Sequence, residues 1–356
     1  MSRYQTSSVV DTSSIVNYVT IIGRAYPASS EDYMRLVRLA WNFRRAVQVA
    51  TRMTVKGLEE DSILRELRRM LNKAYADSAY NAAKAMVEGC IFNGGNPLHI
   101  EVRKLFIISE GESSRLGNRN VRLEDTCLVK VKYPYDSSWI TLRAEFGEKY
   151  LPLLRELVDL AKQKKLSYTA RIVFREGSIY LHLSIPIQLY LKYFKKGEAR
   201  GELIAGFDLN SDRVNLVIID EHGRILDTRT AWFPEATSHG FPRGKAKALR
   251  LNALARLLEY CYRHSVSIVV FENLLSVKRK RFTRSKIANR KITRFAKKQL
   301  IQYSVVMALK YGFRVFLVDP KGTTNSREHY DVMRKYRLDR HAASAYLIAL
   351  RGLRHQ

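Results

Sequence analysis

One short apolar run constrains this chain more than any other stretch. Leu203–Asp208 reads Leu-Ile-Ala-Gly-Phe-Asp, a strand-length sequence that ends on a carboxylate. Ile268–Glu272 (Ile-Val-Val-Phe-Glu) repeats the pattern, and a helix-like run opens at Asp339. Three acids at the ends of regular elements point to a metal-dependent nuclease when the rest of the chain is strongly basic.

The chain carries 62 Lys and Arg against 34 Asp and Glu, a net charge of +28 over 356 residues. A polyanion is the natural partner for such an excess, and nucleic acid is the commonest one. A merely solvated basic surface would carry Glu in balance with its Lys and Arg. The length allows two domains or three. Cys90, Cys127 and Cys261 form no close pair, so neither a zinc ribbon nor a disulfide framework is implied. No apolar run approaches the roughly 20 residues that span a bilayer, and Met1–Asp11 lacks the apolar core of a signal peptide. A soluble, cytoplasmic protein without a membrane partner is expected.

Along the chain, Ile15–Tyr26 is rich in β-branched and aromatic residues and predicts a strand. Ser30 with Glu31 and Asp32 opens a helical block that runs to Glu88, with Gly57 and Asp61-Ser62 marking a turn. Arg35, Arg38, Arg44, Arg45 and Arg52 give this block a basic character. They fit either a nucleic-acid face or an ordinary charged outer face. Strands are predicted at His99–Ile108, Cys127–Tyr133 and Trp139–Leu142, and a helix at Glu148–Gln163. A strand pair, Ser167–Phe174 and Ser178–Ile185, turns at Arg175-Glu176-Gly177. The N-terminal half is thus β-rich with a helical insertion, and charged Lys192–Gly201 is the expected boundary.

Beyond it come strands at Leu203–Asp208, Val214–Asp220 and Arg224–Thr230, a helix at Lys245–His264, and a buried strand at Ser267–Glu272. A long basic helix at Lys286–Tyr311, a strand at Phe313–Asp319 and a helix at Leu338–Leu353 follow. The order βββαβαβα is that of an RNase H-like domain, an α/β mixed sheet with helices against its faces. In that arrangement the first and fourth strands are neighbours, so Asp208 and Glu272 can converge while Asp339 packs across the same edge. Each acid also has a plain structural role open to it. Asp208 can end a strand, Glu272 can be a surface charge, and Asp339 can cap a helix. His341, two residues past Asp339, lies about 200° round a helix and is not expected on its face.

Between Asn273 and Val318 there are 13 Lys or Arg and no acid, a density that would repel itself without a polyanion. The expected phosphate contacts are Lys278, Arg279, Lys280, Arg281, Arg284, Lys286, Arg290, Lys291, Arg294, Lys297 and Lys298.

In Ile204-Ala-Gly-Phe-Asp-Leu-Asn210, Val269-Val-Phe-Glu-Asn-Leu274, Val318-Asp-Pro320 and Asp339-Arg-His-Ala-Ala-Ser-Ala345, the chain resembles the TnpB-type (OrfB transposase) family. These are transposon-encoded RNA-guided nucleases related to type V CRISPR effectors. The resemblance covers roughly 202–354 by motif and the N-terminal half by architecture. It implies a β-barrel-like wedge domain (1–30 and 94–200), a helical recognition insertion (31–93) and a RuvC nuclease domain of RNase H-like fold (201–356). It further implies a guide RNA from the transposon end, a double-stranded DNA target, and Asp208, Glu272 and Asp339 as the catalytic acids. Those acids would hold Mg²⁺ or Mn²⁺, for which hard oxygen donors are suited. The family's two CxxC pairs are missing, since residues 320–338 contain no cysteine, and zinc is not expected. Two alternatives stay open: a guided DNA-binding protein without nuclease activity, and a non-guided RuvC-like nuclease on branched DNA.

Overall fold

The computed structural model describes residues 16–274, 284–285 and 297–354. Its contacts divide the chain into two units, one formed by Tyr18–Tyr193 and the other by the rest of the described chain.

In the first unit β1 (Tyr18–Pro27) alternates buried and exposed positions along its length, as a half-buried strand should. Helix α1 (Ser30–Val55) starts where the Ser29 hydroxyl accepts from the Asp32 N–H at 3.0 Å, with Glu31 and Asp32 in its positive first turn. It buries Leu36, Leu39, Ala40, Phe43, Ala46, Val47 and Ala50. Helices α2 (Glu60–Leu67) and α3 (Lys73–Phe92) pack on it. Asp61 and Ser62, expected in a turn, lie in the first turn of α2 instead, where an acid complements the helix dipole.

The sheet runs β2 (Phe106–Ser109), β8 (Thr169–Arg175), β9 (Ser178–Pro186), β1, β7 (Trp139–Glu145), β6 (Leu128–Lys132), β5 (Val121–Leu123). All its ladders are antiparallel. Glu176 and Gly177, with φ of 49° and 74°, make the tight β8–β9 turn. The strand expected from His99 forms only at Phe106–Ser109, because Pro97–His99 makes a 3₁₀ turn begun by Pro97. Two short strands, β3 (Gly111–Glu112) and β4 (Gly117–Asn118), pair with each other, α4 covers Leu151–Lys162 and α5 covers Ile187–Phe194.

The two end strands, β2 and β5, are joined by side chains. Asn118, fully buried, donates to the carbonyls of Ser109 at 2.8 Å and Tyr168 at 2.9 Å. Its Oδ1 accepts from Ser109 Oγ at 2.6 Å, and from the Asn120 and Val121 N–H groups at 3.0 and 2.8 Å. The buried Tyr168 hydroxyl donates to the Val121 carbonyl at 3.0 Å and accepts from the Leu123 N–H at 2.9 Å. The sheet therefore curls until its ends meet, and two polar side chains stitch the seam that a ladder leaves open.

In the second unit five strands form a mixed sheet in the order β12 (Ile225–Trp232), β11 (Arg213–Ile219), β10 (Leu203–Leu209), β13 (Val266–Glu272), β14 (Arg314–Val318). β10, β11 and β12 are antiparallel, while β10, β13 and β14 are parallel. The first and fourth strands of the unit are thus neighbours. Both are covered on two faces, which is why they read as unbroken apolar runs. α6 (Arg243–Arg263) packs on β11–β13, and α7 (Lys297–Lys310) on β14. After α8 (Arg327–Tyr336), the final helix α9 (Arg340–Leu353) lays Ala343, Ala345, Tyr346, Leu347, Ile348 and Ala349 against Ile204, Val217, Ile268 and Val270. Two glycines allow this close approach. A Cβ at Gly206 would collide with the Ala345 carbonyl oxygen and fall 2.5 Å from the Ala349 nitrogen, and one at Gly352 would collide with Val270.

Candidate active site

Alternation along β10 and β13 decides where the acids go. Ile204, Gly206, Ile268 and Val270 face α9, so Asp208 and Glu272, each two residues on, face the same side. Phe207 pairs with Phe271 in the parallel ladder, and their rings meet at 5.1 Å on the opposite side. The next residues in register are the two carboxylates. They stand side by side at the carboxyl ends of neighbouring parallel strands, where open α/β sheets carry their ligand crevices.

Asp208 is 7% exposed. Its Oδ2 accepts from Asn210 Nδ2 at 2.7 Å and from His341 Nδ1 at 2.9 Å. A carboxylate only accepts, so the imidazole carries its proton on Nδ1 in this contact. Glu272 is 8% exposed, and burial followed by the charge of Asp208 pushes its pKa up to about 7. The Thr323 hydroxyl donates to its Oε1. Thr323 belongs to the loop between β14 and α8. That loop is tied to α9, because Ser344 Oγ donates to the Thr323 carbonyl at 3.0 Å and Arg351 Nη2 to the Lys321 carbonyl at 2.8 Å.

Asp339 is the N-cap of α9. Its Oδ1 accepts from the His341 and Ala342 N–H groups at 2.8 and 2.9 Å, and the residue is exposed. The structure brings Asp208 and Glu272 together and adds His341 to Asp208, while Asp339 turns to its own helix. Among the described residues no group of three or more His, Cys, Asp or Glu side chains is spaced to hold one metal ion. The pair itself suits a hard divalent cation. Two buried carboxylates side by side, one with a raised pKa, form an oxygen-only donor set whose mutual repulsion a cation would offset.

His341 and Thr323 are the polar residues of the site that periodicity does not find. The helical wheel separates His341 from Asp339 only if both lie within the helix. Asp339, with φ −69° and ψ 168°, lies outside it. Thr323 sits in a loop, which has no period to read.

Of the expected phosphate contacts, Arg284 is described and exposed. Lys278, Arg279, Lys280, Arg281, Lys286, Arg290, Lys291 and Arg294 lie outside the described residues. Lys297 and Lys298 open α7, but their side chains also lie outside the described part. In the first unit Arg38, Arg45 and Arg52 are exposed on α1, whereas Arg35 pairs with Glu31 at 2.6 Å. No described helix is long and apolar enough to cross a membrane.

Among solved structures, the chain is similar to a CRISPR-Cas12f ternary complex, with TM-score 0.30, 12% identity and coverage of 90% of this chain and 81% of that one. It is also similar to T. thermophilus RuvC in complex with a Holliday junction substrate, with TM-score 0.29, 19% identity and coverage of 42% and 91%. An uncharacterised protein of Aeropyrum pernix is 30% identical over 304 residues, 79% of this chain and 80% of that protein. The uncharacterised protein SSO2105 of Saccharolobus solfataricus is 46% identical over 344 residues, 94% of this chain and 92% of that protein. Residues 18–195 match the SSO2105 N-terminal domain family. With that match and a relative similar over nearly its whole length, the chain belongs to the SSO2105 family.

Proposed function

We propose that the chain is a metal-dependent DNA endonuclease of RNase H-like (RuvC) type, guided by an RNA from a transposon end. The observation that carries this reading is the adjacency of Asp208 and Glu272, both buried, at the ends of β10 and β13 in a chain of net charge +28. Asp208, Glu272 and Asp339 are the proposed ligands of Mg²⁺ or Mn²⁺, with Asp339 turning from its cap to join them. When bound, the ions supply an activated water and stabilise the leaving oxygen of the phosphodiester. The chain's own part is to hold the two carboxylates together, exclude bulk water from the strand ends, and bring the phosphate backbone in by the basic segment that follows Glu272.

A second reading is guided DNA binding without cleavage. One observation favours it, the engagement of Asp339 in capping α9 rather than beside the acid pair. One set of experiments separates the two. The protein is purified with its co-expressed RNA, the bound RNA is sequenced, and matching double-stranded DNA is offered with Mg²⁺ or Mn²⁺. A discrete bound RNA and cleavage lost in Asp208→Ala are expected. Guided binding with no cleavage supports the second reading. Metal-dependent cutting of branched DNA without RNA would replace guidance by a junction substrate.

A further inference from the structure

Side chains of α9 bear on both acids while Asp339 caps the helix. His341, in its first turn, donates from Nδ1 to Asp208 Oδ2 at 2.9 Å. Ser344 stands three residues on, hence on the same side of the helix. It donates to the Thr323 carbonyl at 3.0 Å, and the Thr323 hydroxyl donates to Glu272 Oε1. Arg351 fixes the same loop through the Lys321 carbonyl at 2.8 Å. The helix packs closely on the sheet, since a Cβ at Gly206 or Gly352 would run into Ala345 and Ala349 or into Val270. Among the described residues, the side-chain bonds on Asp208 all fall on Oδ2 and the one on Glu272 falls on Oε1. Asp208 Oδ1 and Glu272 Oε2 take no such bond.

We propose that His341 and Thr323 are positioning residues, each holding one carboxylate so that Asp208 and Glu272 present their remaining oxygens to one divalent cation. The proposal rests on the metal-site reading of the two acids. Neighbouring carboxylates repel and would otherwise rotate apart. An N–H on one and an O–H on the other fix their orientation. His341 serves Asp208 from the helix, and Thr323 serves Glu272 from the loop that the helix holds.

The test is Mn²⁺ binding to the metal-stripped, full-length protein by titration calorimetry, with circular dichroism to verify folding. Asp208→Ala and Glu272→Ala are expected to abolish binding. His341→Leu and Thr323→Val are expected to weaken it by about 10–100-fold. His341→Asn and Thr323→Ser, which keep a donor near the same place, are expected to return to within about threefold of wild type. If the acid variants lose Mn²⁺ while His341→Leu and Thr323→Val bind like wild type, the positioning role is overturned and the acid pair stands. Equal losses in His341→Leu and His341→Asn, or in Thr323→Val and Thr323→Ser, also overturn it, since bulk rather than a donor would then matter. Wild-type binding by both acid variants sinks the metal-site reading itself.

Discussion

A carboxylate buried beside another destabilises the fold until something offsets its charge. Glu272 has a folded-state pKa of about 7, against the ordinary 4.5. Between those values the folded chain binds a proton that the unfolded chain has released. The contribution of this site to stability therefore falls as pH rises from 4.5, and the deficit is complete above about 7. Glu272→Gln removes the charge and keeps the shape. In the metal-free protein it is expected to be more stable than wild type by about 1–3 kcal/mol at pH 8, with little difference near pH 4.5. Mn²⁺ at pH 8 should reverse the order, because only wild type gains from binding. Thermal melts at the two pH values, with and without Mn²⁺, check this, and a pH-independent difference would disprove it. At this scale the sequence shows Asp208 and Glu272 because each closes an apolar run. Asp339 is legible with two roles open, and the structure shows it in the capping one. His341 and Thr323 gain their places only from three-dimensional packing, one through a cap that turns the chain before the helix starts.

The contact of α9 with β10 and β13 sets the distance between the helix and the acids. Gly206→Ala would push a methyl into the α9 backbone, with no flexible side chain to give way. A loss of about 3 kcal/mol or more is expected, at the upper end for overpacking. Gly244, in the first turn of α6, has open space where a methyl would stand, with nothing within 4 Å. Gly244→Ala is therefore expected to be neutral or to stabilise by about 0.5 kcal/mol. Urea midpoints with unchanged slopes decide between these outcomes. Apart from the helix expected at Lys286–Tyr311, whose residues 286–296 lie outside the described residues and which is described only as Lys297–Lys310, the strands and helices of this unit are legible from their apolar runs and periodicity to within a few residues. β10 extends one residue past Asp208, and α6 begins at Arg243. The two- and three-residue strands β3, β4 and β5 are too short to carry a period. α5 escapes a sequence reading because its apolar residues continue those of β9.

The unit Tyr18–Tyr193 contains its whole sheet, its helices and its own seam. Expressed alone, residues 18–195 are expected to fold and to unfold in one cooperative transition. Asn118→Ala should lower the stability of that fragment by about 2–4 kcal/mol, because several buried backbone groups lose their partner. A fragment that melts without cooperativity, or an unaffected variant, would contradict the closure. A β-rich body with a helical insertion is legible from the run of short strands, but the way the ends meet is not. That depends on one amide and one phenol brought together from residues 118 and 168. The amide also gives the molecule a chemical memory of heat. While folded, Asn118 is sealed from water and from its own backbone rearrangement. Deamidation in a spell of unfolding would return an acid to that place, its oxygens set against the Ser109 and Tyr168 carbonyls. Endurance at high temperature is then counted in openings survived, an ageing process rather than a melting point.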